Sequence, residues 1–339
     1  MIEEKSGISD DFESYMKKRA ERVLEKFAQV AISGITDSKL ISIVRDVQKY
    51  WKDNFRPAFA SLCCEAVGGQ PEAADDISLM ITLASVGGGI HDDLIDKSHS
   101  KHFRWTILGS YGYDYALLVG DLFILKGWMM IQNLVAKNYS NEKLEEIIGA
   151  FGKWTVDVCE AEFREISCRK NLDTEVEDYE EILRKSMADV EACAKLGAII
   201  GSGSKKEIES LAKIGGCVGF LYRLSNEMSD IYDKELDLQH RLNFESVPLP
   251  ILYASQHGEK SQIERLINKP SIEKEDLTKL VELCVRTGAL DYVLIRSKEE
   301  KKKATKLLAE LQPSKAKSML RSIIDQRLSI LSKSVESNL

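Results

Sequence analysis

The sequence predicts an all-α protein. Apolar residues recur at intervals of three and four along most of the chain, as in Leu40, Ile43, Val44, Val47 and Trp51, which is the spacing of one face of a helix. Alternating strand patterns bounded by hairpin turns do not occur in the sequence. Only 6 prolines are spread over 339 residues, so long helices can form with few interruptions.

Short breaks separate the predicted helices in chain order. A strongly apolar helix runs from Leu79 to Ile90, and Asp173 or Thr174 is predicted to cap a later helix that carries Tyr179 to Gly197, because short polar side chains favour that position. The predicted breaks fall at Gly34, Gly68-Gly69, Gly109 to Gly112, Lys137 to Asn141, Asn171 to Thr174, Gly201 to Ser204, Pro248 to Pro250, Lys269-Pro270 and Pro313.

Composition predicts one large domain that spans residues 1–339. The chain is 44% hydrophobic, enough for a sizeable core, and no stretch rich in Pro, Gly or Ser separates two halves. The net charge is −7, and no basic stripe is interleaved with aromatic residues, so nucleic acid is excluded as a partner.

The cysteines and the apolar segments predict a cytoplasmic protein. The 7 cysteines are odd in number and form no CxxC pair, which is typical of reduced thiols in a protein core. No window approaches 18 uninterrupted apolar residues, and the N-terminus is polar and acidic. We therefore expect neither a membrane span nor a signal peptide.

The first motif consists of Asp92, Asp93 and Asp96, which follow the apolar helix. Asp92 and Asp96 lie one turn apart on the same helix face. Carboxylates clustered at the end of a buried helix repel one another unless a cation neutralises them. Mg²⁺ is the best candidate because it binds through one or two carboxylates and shares its other positions with substrate phosphates. The alternative is a solvated acidic helix end.

The second motif lies about 130 residues further along and consists of Asn226, Glu227 and Asp230, at the same spacing as the first. Oxygen ligands on two facing helices would hold a metal–diphosphate cluster between them. Asn and Glu can still coordinate Mg²⁺, but Asn contributes no charge and Glu has a longer side chain than Asp.

With these two motifs the chain resembles the trans-isoprenyl diphosphate synthases, the polyprenyl synthetase family. The first motif matches the family's Asp-Asp-x-x-Asp without a departure, and weaker matches occur in the family's order at Arg56-Pro57, Gly120-Asp121-Leu122, Lys185-Ser186 and Val247-Pro248-Leu249-Pro250. The resemblance implies a single large helical bundle of the isoprenoid synthase type with a central cavity. It also implies a Mg²⁺-dependent prenyltransferase that joins an allylic prenyl diphosphate to isopentenyl diphosphate, as a homodimer or as a heteromer with a homologous subunit.

The resemblance also implies roles for individual residues. The expected catalytic residues are the three aspartates of the first motif together with Lys185. The expected metal ligands are Asp92, Asp93, Asp96, Asn226, Glu227 and Asp230, and the expected substrate-binding residues are Lys52, Arg56, Lys101, Arg104, Lys185 and Arg223.

The chain departs from the family at both diphosphate sites. The family's Gly-Lys-Arg-x-Arg-Pro segment for isopentenyl diphosphate appears as Lys52-Asp53-Asn54-Phe55-Arg56-Pro57, and Lys101-His102-Phe103 replaces Arg-Arg-Gly. Lys52 and Arg104 could compensate from neighbouring positions. Arg223 replaces a family Gln, so it could pair with Glu227 or Asp230 instead of binding substrate.

Two further questions stay open at the level of sequence. Gly87-Gly88-Gly89, just before the first motif, fits an open channel for a medium or long prenyl chain, or else close helix packing. Glu160, Glu162 and Glu165 are expected to form a solvated face, with Glu162 as an alternative residue of the cavity wall.

Two other functions compete with a self-sufficient synthase. One is a weakly active or regulatory subunit of a heteromeric synthase, and the other is a terpene synthase-like lyase that acts on an allylic diphosphate alone.

Overall fold

The computed structural model confirms the all-α prediction and describes residues 10–101, 104–232 and 237–336. A 3₁₀ turn (Pro71–Ala74) precedes α4, and a π-helical turn (Ser255–Glu259) follows α13. The α-helices are α1 (Asp10–Ile32), α2 (Ser38–Tyr50), α3 (Phe55–Ala66), α4 (Asp75–Ile95), α5 (Ile107–Tyr111), α6 (Tyr113–Met129), α7 (Ile131–Ala136), α8 (Asn141–Ser167), α9 (Val176–Ser186), α10 (Ala188–Ile200), α11 (Lys205–Tyr232), α12 (Asp237–Phe244), α13 (Leu249–Ala254), α14 (Lys260–Ile267), α15 (Lys274–Arg286), α16 (Ala289–Ala309) and α17 (Lys315–Glu336).

Polar caps and glycines explain several helix ends. The Asp37 carboxylate accepts a hydrogen bond from Leu40 N at the start of α2, and Ser140 Oγ accepts one from Lys143 N at the start of α8. Such bonds satisfy backbone N–H groups that have no partner within the helix. Gly112, between α5 and α6, has a φ of 83°, a conformation that glycine adopts without strain.

Several local predictions were wrong. The single helix predicted to carry Tyr179 to Gly197 is divided at Met187 into α9 and α10. The N-cap of α9 is Glu175, which has an extended backbone and makes no side-chain cap bond, whereas Asp173 or Thr174 was predicted. The sequence also predicted no strands, but Ser100–Lys101 (β1) pairs antiparallel with Arg104–Trp105 (β2). Strands of two residues are too short to produce the alternation that marks a strand in a sequence.

The three glycines before the first motif have different environments in α4. A Cβ on Gly87 would lie 2.5 Å from the carbonyl oxygen of Gly120 in α6, so Gly87 allows α4 and α6 to pack closely. A Cβ on Gly88 would meet nothing within 4 Å, and one on Gly89 would lie 3.3 Å from the Trp51 ring. Close packing therefore accounts for Gly87, while Gly88 faces open space.

Two buried apolar clusters form the core. One is built mainly from α1 to α8, α10 and α17, and the other from α9 and α12 to α15. The long helices α11 and α16 contribute residues to both clusters. Because the same helices run through both cores, we propose that the chain forms one continuous domain.

Within the part of the chain that the structure describes, two helical segments are long and apolar enough to cross a membrane, judged only by length and composition. In the apolar window of Pro71–Ile95, 78% of the residues are buried inside the protein, as expected for a core helix. In that of Tyr113–Ala136 the share is only 39%, so part of the apolar surface of α6 and α7 is uncovered.

Substitution of Gly87 is expected to destabilise the protein, whereas substitution of Gly88 is not. Gly87→Ala places a methyl group against backbone and should lower the free energy of unfolding by about 1–3 kcal/mol. Gly88→Ala enters open space and should raise it by up to about 1 kcal/mol through helix propensity. Urea denaturation of both variants checks this, and equal effects would contradict the assignment of Gly87 to helix packing.

Candidate active site

The first motif lies at the C-terminal end of α4. Asp92 and Asp93 are in the last turn, and Asp96 is the C-cap residue, with its N–H donating to the carbonyl oxygen of Asp92. Most of the helix before them is buried, which fixes where the carboxylates point. The C-terminal end of a helix dipole disfavours negative charge. Three aspartates at this end therefore require a cation.

Lys101, on β1, supplies one positive charge to the motif. Its Nζ lies 2.9 Å from Asp92 Oδ2 and 2.8 Å from Asp93 Oδ1. Burial lowers the pKa of Lys101, but Asp92 and Asp93 outweigh burial, so the pKa lies above its usual value. The lysine expected to bind diphosphate thus lies directly beside the first motif. The neighbouring His102 lies outside the described residues.

Several carboxylates around the motif remain short of positive charge. Burial, together with the negative charges of Asp92 and Glu245, raises the pKa of Asp96 to about 8. Burial likewise raises the pKa of Glu162, on α8, to about 8, again with a contribution from Asp92. Buried carboxylates that lack a positive partner favour a bound cation.

Sequence reasoning missed several charged residues around the first motif. Glu162 and Glu165 were assigned mainly to a solvated face, and that prediction was wrong for both. Glu162 has a pKa raised by burial, and Glu165 is only 15% exposed, with its Oε1 2.7 Å from Arg223 Nη2. Glu245 and Arg169 were not predicted at all. Arg169 donates to the carbonyl oxygen of Ile95 at 2.9 Å and lies 3.4 Å from Asp96. Neither belongs to a motif, so no sequence signal marked them.

The first motif fits a divalent cation, although its ligands are not gathered. Among residues 10–101, 104–232 and 237–336, no three Asp, Glu, His or Cys side chains converge closely enough to hold a metal. Lys101 is ion-paired with the carboxylates of Asp92 and Asp93, but its side chain is 44% exposed and can move into solvent. A cation could then take its place.

The second motif does not fit a metal in the same way. Glu227 is 0% exposed, its Oε1 lies 2.5 Å from Arg241 Nη2, and its Oε2 accepts a hydrogen bond from Leu249 N at 2.7 Å. Asp230 is paired with the same arginine, and Asn226 is exposed. The prediction that Glu227 is a metal ligand is therefore not compatible with this geometry, because protein donors already occupy both carboxylate oxygens.

The region expected to bind the second diphosphate contains a neutralised arginine. Arg56 Nη1 lies 2.8 Å from Asp53 Oδ2, and its Nε pairs with Asp189 of α10. Asp53 Oδ1 also accepts a hydrogen bond from Phe55 N at 2.9 Å, at the start of α3. Asp53, which stands where the family has Lys, thus caps a helix and holds Arg56.

The remaining predicted substrate ligands are dispersed. Lys52 is exposed, and the Arg104 guanidinium lies 5.2 Å from the centre of the Tyr50 ring. Lys185 Nζ lies 3.0 Å from Glu160 Oε2. Arg223 pairs most closely with Glu165, at 2.7 Å, and lies 3.5 Å from Glu227. A pair with Glu227 or Asp230 was expected, whereas Glu165 was not predicted as its partner.

Comparison with known proteins identifies the class. The polyprenyl synthetase family profile matches residues 45–284, and the chain belongs to that family. Its members are prenyltransferases, and the described helices form the all-α fold shared by the structural neighbours.

Particular relatives are similar over nearly the whole chain. A short chain isoprenyl diphosphate synthase from Methanothermobacter thermautotrophicus is 26% identical over 94% of this chain and 97% of its own length. The crystal structure of a geranylgeranyl pyrophosphate synthetase from Pyrococcus horikoshii superposes with a TM-score of 0.83 at 23% identity, over 94% of this chain and 98% of that one. The structure of a polyprenyl synthase from Caulobacter crescentus, complexed with calcium and isoprenyl diphosphate, superposes with a TM-score of 0.77 at 18% identity. The match covers 93% of this chain and 97% of that one.

The raised pKa values of Asp96 and Glu162 predict an unusual pH dependence of stability. In the folded protein the carboxyl groups of Asp96 and Glu162 each keep their proton up to about pH 8. In the unfolded chain a carboxyl group loses its proton near pH 4. The folded state therefore binds more protons between these values, and stability falls as pH rises through that window.

Thermal unfolding in EDTA between pH 5.5 and 8.5 measures this slope. Asp96→Asn is expected to flatten it, while Glu160→Gln, which removes an exposed carboxylate from the same helix as Glu162, should leave it unchanged. An unaltered slope in Asp96→Asn would contradict a buried, protonated Asp96.

Proposed function

We propose that this chain is a Mg²⁺-dependent trans-isoprenyl diphosphate synthase that condenses an allylic prenyl diphosphate with isopentenyl diphosphate. The observation that carries the proposal is the complete first motif at the end of α4, in which Asp96 and the nearby Glu162 lack sufficient positive charge. Membership of the polyprenyl synthetase family supports the same reaction.

The proposed roles follow from the positions of the side chains. Asp92, Asp93 and Asp96 hold the cations, and Arg169 fixes Asp96 from the adjacent turn. Lys101 leaves the aspartates and binds the allylic diphosphate, which brings several negative charges. When bound, Mg²⁺ neutralises and orients the diphosphate leaving group. The Caulobacter relative, which binds calcium and isoprenyl diphosphate, supports a divalent cation here.

The proposed reaction needs no reactant besides the allylic diphosphate and isopentenyl diphosphate. The allylic C–O bond breaks, and its electron pair leaves with the diphosphate. The double bond of isopentenyl diphosphate attacks the allylic cation and forms the new C–C bond. A proton is then lost to the released diphosphate, which restores a double bond in the product. The buried apolar half of α4 excludes water that would otherwise capture the cation.

A second candidate function, a lyase, is favoured by the ion pairs that Arg56 makes within the protein. Two carboxylates, from Asp53 and Asp189, already pair with this single guanidinium, so the charge available to a second diphosphate comes mainly from Lys52. A lyase that ionises an allylic diphosphate would need only the first motif. A subunit that requires an intact homologue is the remaining alternative.

We infer a product of medium or long chain from the open space beside Gly88. No side chain at this position would stop a growing prenyl chain, while Trp51 forms a wall beside Gly89. A cytoplasmic location is supported by the cysteines, because six of the seven are buried and all are free.

A radiolabel assay tests the main proposal. Purified protein with Mg²⁺, labelled isopentenyl diphosphate and allylic diphosphates of several lengths should yield labelled prenyl products. Asp92→Ala should reduce the rate by about 100-fold or more, as expected when charge stabilisation of the leaving group is lost.

The same assay separates the alternatives. Consumption of the allylic diphosphate without incorporation of label, with cyclic or hydrolysed products, would favour the lyase. Absence of turnover despite Mg²⁺-dependent binding of the allylic diphosphate would point to a partner subunit. Either result would contradict a self-sufficient synthase.

We also propose that the chain forms a dimer through the outer face of α6. Leu118 and Leu125 lie two turns apart on this face and are 63% and 60% exposed, and Met129 extends the same apolar stripe. An apolar stripe of this kind is typical of a surface that is covered by a partner.

Introducing charge into this stripe should separate the dimer. The double variant Leu118→Glu/Leu125→Glu is expected to be monomeric by light scattering coupled to gel filtration, because each subunit would bury two charges at the interface. Ile295→Glu, on the exposed face of α16, is the matched control and should remain dimeric. A monomeric parent protein would contradict the proposal.

A further inference from the structure

The second motif contains its own fixed cation. Arg241, in α12, is only 2% exposed, and all three guanidinium nitrogens have partners. Nη2 donates to Glu227 at 2.5 Å and to the Tyr179 hydroxyl at 3.0 Å, Nε donates to the carbonyl oxygen of Ser246 at 3.2 Å, and Nη1 pairs with Asp230. The arginine thus occupies the space between the two carboxylates of the motif.

We propose that Arg241 permanently takes the place of a divalent cation between Glu227 and Asp230, so that, of the two motifs as far as the structure describes them, the first is the one that gathers metal ions. The inference rests on the proposed function, since it assumes that the first motif binds the metal. It assigns to Arg241 a positioning role: the guanidinium holds the carboxylates of Glu227 and Asp230 in place between α11 and α12.

The surroundings of Arg241 make its displacement costly. Tyr179 is buried and its hydroxyl lies 2.7 Å from Ser246 Oγ, and Leu249 N fixes the other oxygen of Glu227. A metal ion that entered here would leave the guanidinium buried without a counter-charge, and the two cations would repel each other at short range. Lys101 at the first motif differs because its side chain is 44% exposed and can leave.

The burial of the two cations supports the same assignment. The Arg241 guanidinium is 2% exposed and pairs with Glu227 and Asp230. The Lys101 ammonium, which pairs with Asp92 and Asp93, belongs to a side chain that is 44% exposed. A divalent cation can therefore replace the partner of the first motif more easily than that of the second.

The test compares the last carboxylate of each motif. Mn²⁺ binding to the full-length protein in the presence of inorganic pyrophosphate is measured by electron paramagnetic resonance for Asp96→Asn and Asp230→Asn. Asp96→Asn is expected to weaken Mn²⁺ binding by about tenfold or more. Asp230→Asn should leave both the number of bound Mn²⁺ ions and their affinity within about twofold of the parent protein, on the same scale of effects.

Glu227→Gln provides a second variant with a readout that does not depend on activity. We expect it to lower the melting temperature equally with and without Mn²⁺ and pyrophosphate, because it removes a buried ion pair. Asp96→Asn should instead lose the increase in melting temperature that Mn²⁺ with pyrophosphate gives the parent protein.

The possible outcomes are distinct. Loss of a bound Mn²⁺ ion in Asp230→Asn, in a variant that melts like the parent protein, would overturn the role of Arg241 and leave the proposed function standing. Unchanged Mn²⁺ binding in Asp96→Asn would overturn the metal site of the proposed function, and this inference with it. Loss in Asp96→Asn alone supports both.

Discussion

Compensation of buried negative charge is the constraint on which the site depends. Carboxylates of α4, α8 and α11 interact with one another, and each must be paired or protonated unless a cation binds. The chain shows the first two solutions. Glu227 is paired in the core with Arg241, Asp96 and Glu162 have pKa values raised to about 8, mainly by burial, and Asp92 and Asp93 share the ammonium of Lys101.

These solutions differ in how easily they can be reversed. A lysine near the surface can exchange with a metal ion at little cost, whereas a guanidinium whose three nitrogens are all paired in the core cannot. The two motifs have the same spacing of oxygen ligands in the sequence, yet only the first keeps carboxylates within reach of an exchangeable partner. The asymmetry follows from burial, since the Asp92 side chain is 38% exposed and that of Glu227 is 0% exposed.

The same principle operates where isopentenyl diphosphate would bind. Asp53 stands where the family has Lys. Its carboxylate accepts a hydrogen bond from Phe55 N at the start of α3, and it also pairs with the Arg56 guanidinium and so neutralises its charge. Asp189, from α10, adds a second negative partner. The replacement of one basic residue by Asp53 thus also leaves Arg56 with less positive charge to offer a diphosphate. This region therefore bears on the choice between synthase and lyase.

The sequence alone determined the all-α class, most helix breaks and the first motif, because helical periodicity, Gly and Pro positions and the spacing of aspartates are local properties. It did not identify Arg241, Glu245 or Arg169, which come from other elements and carry no motif. It also left Gly87 to Gly89 ambiguous, since only the approach of Gly120 in α6 distinguishes packing from open space. Tertiary structure decided which carboxylates were already paired, because the availability of a charge depends on partners that are distant in the chain.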